Sequence, residues 1–218
     1  MDNPWKNIPL KDYESHMRLD SVRQLQVLNQ VMKRQFEEYP ISSAMILGVA
    51  GGNGLEHIDI KKYKRIYCVD INPMYLKEAS QRHNELSDVA EWVCVDLTAN
   101  EIVLPPAELV IANLLIEYIG YASFLNAIMR IAPMIVSCLI QCDADDNWVS
   151  DSPYKQVFEC LEAIHMNIDS HELTEYMNGI GYTLVRSETF PLPNGKGLLL
   201  LDYKPDSDSI QNMQRRYT

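Results

Sequence analysis

Residues 44–70, Ala-Met-Ile-Leu-Gly-Val-Ala-Gly-Gly-Asn-Gly-Leu-Glu-His-Ile-Asp followed by Ile-Lys-Lys-Tyr-Lys-Arg-Ile-Tyr-Cys-Val-Asp, decide the fold. The apolar run 44–47 reads as a buried strand. It enters a glycine cluster, Gly48, Gly51, Gly52 and Gly54, and then Leu55-Glu56-His57-Ile58, which reads as the start of a helix or a turn. A second strand, 65–69, closes on Asp70. Strand, glycine loop, helix, strand and acid together make the unit of a nucleoside-binding α/β fold. Glycines tolerate positive φ and carry no Cβ, so the backbone turns sharply and can approach a ligand. A carboxylate where Asp70 stands accepts hydrogen bonds from a ribose diol.

The glycine spacing narrows the nucleoside. A dinucleotide fingerprint needs G-x-G-x-x-G, yet starting from Gly52 puts His57 at the third place, and starting from Gly51 fares no better. No Lys-Ser/Thr pair follows, which excludes a phosphate-cradling P-loop. Composition excludes further classes. The 218 residues carry a formal net charge of −11, unfavourable to nucleic acid or an anionic membrane as partner. The most basic run, Lys61-Lys62-Tyr63-Lys64-Arg65, reads as a solvated turn before the second strand. Five cysteines (Cys68, Cys94, Cys138, Cys142, Cys160) are odd in number, lack C-x-x-C spacing and fall mostly in apolar runs. They read as reduced core thiols of a cytoplasmic protein. No signal-peptide pattern and no apolar run of membrane-spanning length are present.

Outward from the glycine loop, residues 9–39 show apolar residues at helical spacing up to Pro40, predicting an amphipathic helix over one sheet face. Asn72-Pro73 predicts a capped helix with Tyr75, Leu76 and Ala79 on one side. A third strand, 91–95, ends on Asp96-Leu97, and a fourth, 108–112, runs into Asn113-Leu114-Leu115-Ile116-Glu117-Tyr118. A helix at 121–130 and a buried fifth strand at 133–141 follow. The stripe Tyr154, Val157, Phe158, Leu161 and Ile164 predicts a helical lid, with Trp148 and Tyr154 as substrate walls. Asp169-Ser170-His171-Glu172 has the form of a capping box. Segments 182–190 and 197–203 flank Pro191-Leu192-Pro193-Asn194-Gly195-Lys196, predicting an Asn-Gly hairpin. The fold class is therefore α/β: a Rossmann-like, mostly parallel seven-stranded sheet with a C-terminal antiparallel hairpin, helices on both faces and an N-terminal helical cover.

The glycine loop resembles motif I of the class I S-adenosylmethionine-dependent methyltransferases, acid-x-G-x-G-x-G. Gly52 and Gly54 match its last two glycines, Ala50 stands at the first, and Gly48 stands where the family carries its acid. A terminal hairpin on a parallel sheet is a feature of that family and is lacking in nucleotide dehydrogenases. The resemblance implies S-adenosylmethionine as cofactor. It places Gly48, Ala50, Gly51, Gly52, Asp70, Ile71, Asp96, Leu97, Asn113 and Leu114 around it, with Asp96 on the adenine amino group. It also implies that the entry of the N-terminal cover, with Tyr13, His16 and Met17 about one turn apart, folds over the cofactor. Candidate proton acceptors are Glu117, Tyr118, His16 and Asp143.

Within this family the Pro105-Pro106 pair precedes the fourth strand, so it is not the N-P-P-Y motif of amino-methyltransferases acting on nucleic acid or protein amide, which follows it. Asn113 replaces the acid that magnesium-dependent members carry, so no metal is expected. Glu117 stands alone where arginine-methylating members have two glutamates. The expected organisation is an N-terminal helical cover at 1–40, a methyltransferase domain at 41–203 with a lid at about 143–168, and a polar tail at 204–218. The expected acceptor is a small molecule, without nucleic acid or membrane; the oligomeric state is left open, a homodimer included. A non-catalytic nucleoside-binding module is the main alternative, supported by the glycine at position 48, and a nicotinamide oxidoreductase is disfavoured.

Overall fold

The computed structural model describes residues 3–142 and 148–206. In chain order the elements are α1 (Leu10–Arg18), α2 (Gln24–Glu38), β1 (Ser43–Leu47), β2 (Arg65–Asp70), α3 (Pro73–Arg82), β3 (Ala90–Cys94), β4 (Leu109–Asn113) and α4 (Ile116–Ile131). They continue with β5 (Ile135–Cys142), α5 (Lys155–Phe158), α6 (Ser170–Gly179), β6 (Tyr182–Pro191) and β7 (Gly197–Pro205). The seven strands form one sheet in the order β3-β2-β1-β4-β5-β7-β6. The first five are parallel, and β7 runs antiparallel to β5 and β6. Strand order reverses between β1 and β4, and in such sheets the crevice at that point, beyond the strand carboxyl ends, is where ligands bind.

Two-residue periodicity sends alternate side chains to opposite faces. Met45 and Leu47 of β1, Val110 and Ala112 of β4, and Val136 and Cys138 of β5 pack against Phe124, Ala127 and Ile128 of α4 and Leu173 and Met177 of α6. On the other side Ile46, Cys68, Leu109 and Ile111 meet Met32 and Phe36 of α2 and Leu76 of α3. The first half of α2 continues across β5 and β7, where Leu25, Leu28 and Val31 pack on Leu139, Leu198 and Leu200. Local capping bears out two sequence signals. Asn72 Oδ1 accepts from the Met74 and Tyr75 amides, and the Asp169 carboxylate accepts from the Glu172 amide.

The structure corrects several local expectations. The single helix expected over 9–39 is two helices. The chain breaks after Leu19, Arg23 takes a left-handed φ of 54°, and Val22 in the break is fully buried. After the glycine loop the second of the two readings holds, a turn: a 3-10 turn at Leu55–His57 stands in place of a crossover helix. The face such a helix would cover is taken by α2, whose Met32 and Phe36 lie in one cluster with Leu55 and Ile58. Five buried apolar side chains on α2 (Leu25, Leu28, Val31, Met32, Phe36) contribute about 8–15 kcal/mol at about 1.5–3 kcal/mol each. That matches the whole net stability of a typical domain, so α2 is structural core.

The lid expected over 143–168 is largely irregular. Residues 143–147, Asp143 among them, lie outside the described residues; the remainder holds the four-residue α5 and a 3-10 turn at Glu159–Leu161. Phe158 and Leu161 bury against Ile8 of the N-terminal segment. Helix α4 starts at Ile116, five residues before its expected start, with Gly120 (φ 71°, ψ 167°) breaking its first turn from the rest. The hairpin turns through Gly195 at φ 82°, with the Gly195 amide donating to the Leu192 carbonyl and the Leu192 amide to the Lys196 carbonyl. Strand β7 extends to Pro205, two residues into the expected polar tail, of which 207–218 lie outside the described residues. None of the five cysteines is in a disulfide. Cys68 and Cys138 are core thiols as read, whereas Cys94, Cys142 and Cys160 are exposed. Among the described residues, no helix is long and apolar enough to cross a membrane.

Candidate active site

Beyond the carboxyl ends of β1, β2, β3 and β4 lies a cleft of about 670 Å³. Gly48 and Ala50 wall it from the glycine loop, Asp70 and Ile71 from the end of β2, Asp96 and Leu97 from the end of β3, and Asn113 and Leu114 from the end of β4. Each backbone emerges from the sheet at the same edge, so residues as far apart in sequence as Gly48 and Leu114 meet there. Tyr13 of α1 lines the cleft as well; Gly51 lines a neighbouring cavity under the loop, Met17 lines a second chamber, and Gly52 lines none of the three.

Asp70 ties the loop together. Its Oδ2 accepts from the Ala50 amide at 2.8 Å and its Oδ1 from the Asn72 amide at 2.9 Å. Burial raises its pKa above the usual carboxylate value, and the amide bonds partly offset that shift. Three backbone amides, those of Ala50, Ile71 and Asn72, act on the carboxylate, and its roughly four lone-pair sites leave room for a further donor. Asp96 is less committed: its Oδ1 accepts from the Thr98 amide and hydroxyl in an exposed turn. Asn113 and Gln35 of α2 exchange amide hydrogen bonds at 2.9 and 3.0 Å, and Gln35 Nε2 also donates to Ser137 Oγ.

The glycines divide their work in a way spacing alone does not reveal. Gly48 sits at φ 72°, and a Cβ there would lie 3.1 Å from Leu115 Cδ1. An acid at this position would be strained, which is why the resemblance fails there. At Gly51 a Cβ would lie 2.2 Å from Glu14 Oε1, and at Gly54 (φ 91°) 2.5 Å from Met32 Cβ. Both positions make room for protein side chains. Ala50 and Leu114, by contrast, are non-glycine residues held at φ 47° and 52° on the cleft wall.

A second chamber, about 520 Å³, adjoins the first. Trp5, Tyr13, Leu114 and Tyr118 line both and form the shared wall. All three proton-transfer candidates described here meet in it: His16, Glu117 and Tyr118. His16 is buried and its Nδ1 lies 2.8 Å from Ser152 Oγ. Burial, aided by the charge of Lys196, pushes its imidazole down to about 4, so it is neutral at neutral pH. Glu117 Oε1 accepts from the Gln141 amide at 2.8 Å, and Gln141 Nε2 donates to the Trp148 carbonyl. Burial pushes the Tyr13 phenol up, and the charges of Asp70 and Glu14 add to the shift. Trp148 lines this chamber; Tyr154, the other expected wall, does not, and packs in the cluster around Ile8 and Phe158.

The sequence reading missed the extreme N-terminal segment. Asn3 and Trp5 roof the first cleft. Asn72 Nδ2 donates to the Trp5 carbonyl at 3.0 Å, and the Tyr75 hydroxyl donates to the Ile8 carbonyl at 2.8 Å. A tryptophan in an otherwise polar leader was the one available signal. Glu14 was missed too. It pairs with Arg82 of α3, whose Nη1 also donates to the Gly51 carbonyl at 3.3 Å, fastening α1 over the glycine loop. Among the described residues no group of three His, Cys, Asp or Glu is arranged to hold a metal ion.

No protein-family model and no curated protein sequence matches the chain. Solved structures do match in three dimensions. Magnesium protoporphyrin IX methyltransferase from Synechocystis, with S-adenosylhomocysteine bound, superposes at a TM-score of 0.69 with 10% identity over 93% of this chain and 96% of that one. The N-methyltransferase NodS from Bradyrhizobium japonicum, also with S-adenosylhomocysteine, gives 0.66 with 15% identity over 94% of this chain and 100% of that one. The (4+2)-cyclase SpnF gives 0.63 with 10% identity over 86% and 84%. The chain has the Rossmann-like fold of the class I S-adenosylmethionine-dependent methyltransferases.

Proposed function

We propose that the protein is an S-adenosylmethionine-dependent methyltransferase with a small-molecule acceptor. The observation that carries the reading is the pair of chambers sharing one wall at the topological switch of the sheet. The first chamber fits the cofactor by the chemistry of its walls. Asp70 can accept from a ribose diol, Asp96 from an adenine amino group, Ile71 and Leu97 offer apolar surface to a base, and the Gly48–Ala50 backbone takes the amino-acid end. The cofactor supplies an activated methyl group on a sulfonium. The chain's own residues orient the acceptor and exclude water, since methyl transfer of this kind rests mainly on positioning. Leu114 and Tyr118, in the shared wall, hold the two reactants in register. His16, neutral, and Glu117 are available to take a proton from an acceptor in the second chamber. Five cysteines without a disulfide support a cytoplasmic setting.

One observation favours a second reading. Gly48 replaces the motif I acid, which suits a module that holds the nucleoside without turnover. Calorimetric titration with S-adenosylhomocysteine, S-adenosylmethionine and NAD decides between these. Micromolar binding of the two sulfur nucleosides, with methyl consumption in the presence of an acceptor mixture, is the expected result. Preference for NAD, or no binding at all, sinks the proposal, and tight binding without consumption across acceptors favours the module.

A further inference from the structure

The second chamber is a box of aromatic rings with one acid in its wall. Trp5, Tyr13, Tyr118, Trp148 and Phe158 line it, together with Glu117. The rings meet near right angles: Trp5 and Tyr13 at 84°, Trp5 and Tyr118 at 86°, Tyr118 and Trp148 at 73°, with centroids 4.9 to 6.2 Å apart. Parallel rings would make a slot for a flat aromatic acceptor. Rings at right angles wall a compact space instead and suit a tetrahedral group held against several π faces.

Charge points the same way. Among the described residues, Glu117 is the sole carboxylate of the lining, and neither Lys nor Arg lines it. His16 is held neutral down to about pH 4, and His165 stacks on Trp148 with centroids 4.1 Å apart. Lys196, the cation felt by His16, lies outside the lining. Aromatic faces attract cations through the ring quadrupole, and a desolvated carboxylate adds to that attraction.

We propose that the acceptor is a small aliphatic amine, its nitrogen seated among these rings and facing Glu117. The inference rests on the methyl-transfer reading and names its substrate class. The neutral amine uses its lone pair to form the new N–C bond while the C–S bond breaks and its electron pair returns to sulfur. The positive charge passes from the sulfonium to nitrogen, and the product ammonium releases its surplus proton to water once it has left the chamber. The box stabilises the nitrogen as it becomes cationic, so it favours the transition state and the product over the neutral amine.

Choline and its uncharged carbon isostere, 3,3-dimethylbutan-1-ol, test this without knowledge of the true acceptor. Both are titrated into the intact chain at pH 8 and read by tryptophan fluorescence, with catechol as the flat comparison. Trp148 lines this chamber and not the first cleft, so the part of the quenching that Trp148→Leu removes reports occupancy there. Choline is expected to bind at least roughly tenfold more tightly than the isostere. Glu117→Gln, which keeps an oxygen for the Gln141 amide, is expected to erase most of that preference, and Trp148→Leu to weaken choline alone. Equal binding of the isostere, or preference for catechol, overturns the amine assignment; this comparison needs only the wild-type chain. S-adenosylhomocysteine titrated into the same samples separates the two failures. Nucleoside binding without charge preference refutes the amine inference alone, and charge preference without nucleoside binding refutes methyl transfer and the acceptor assignment with it.

Discussion

Replacing Gly54 by alanine tests whether the glycine loop is shaped for a helix. The residue sits at φ 91°, and its new Cβ would lie 2.5 Å from Met32 Cβ and 2.8 Å from Met32 Cγ. Met32 Cβ is fixed to the α2 backbone, so rotamer changes cannot relieve the first contact. A left-handed conformation costs an L-residue about 1–2 kcal/mol, and pushing apart a packed pair costs about 1–3 kcal/mol. The total is about 2–5 kcal/mol, and at about 2–4 °C per kcal/mol for a chain of this length the Tm falls by about 4–20 °C. Gly195→Ala is the matched control. Its φ is 82° and a Cβ there meets nothing within 4 Å, so it carries the conformational cost alone, about 1–2 kcal/mol. Urea unfolding of both variants gives the difference, expected at about 1–3 kcal/mol. Equal losses would refute the packing of α2 on the loop and return Gly54 to a purely conformational role.

Three further outcomes follow from the site. Asp96→Ala removes a carboxylate that, among the described residues, is bonded only to Thr98 in an exposed turn; stability should change by less than about 1 kcal/mol while S-adenosylhomocysteine affinity drops roughly tenfold by calorimetry. Arg82→Ala breaks the pair with Glu14 at a cost below about 1 kcal/mol in global stability, yet hydrogen exchange over residues 10–18 should accelerate because α1 loses its tie to α3 and Gly51. His16 titrates at about 4 in the folded protein and near 6.5 when unfolded. The unfolded chain therefore binds more protons between those values, and stability present above 6.5 is lost as pH falls towards 4. His16→Asn should reduce that slope by up to one proton in pH-dependent urea unfolding, and an unchanged slope would refute the buried neutral imidazole.

The sequence by itself determined the parts of this protein that short-range chemistry controls. Short apolar strand runs, the Asn72 and Asp169 caps, the Gly195 turn and the acids closing β2 and β3 are each set by residues close together in sequence. That is why seven strands, the terminal hairpin and most of the residues walling the first cleft were legible. Tertiary structure alone decided the rest. The amphipathic pattern over 9–39 does not say where Val22 buries and the helix breaks, nor that α2 takes the place of a crossover helix absent after the glycine loop. Apolar residues at 151–168 have helical spacing, but burial against Ile8 holds them as α5, a 3-10 turn and irregular chain. Trp5, Glu14 and Gln141 enter the site through contacts between segments far apart in sequence. Burial energy depends on which surfaces meet, and local pattern carries no record of that.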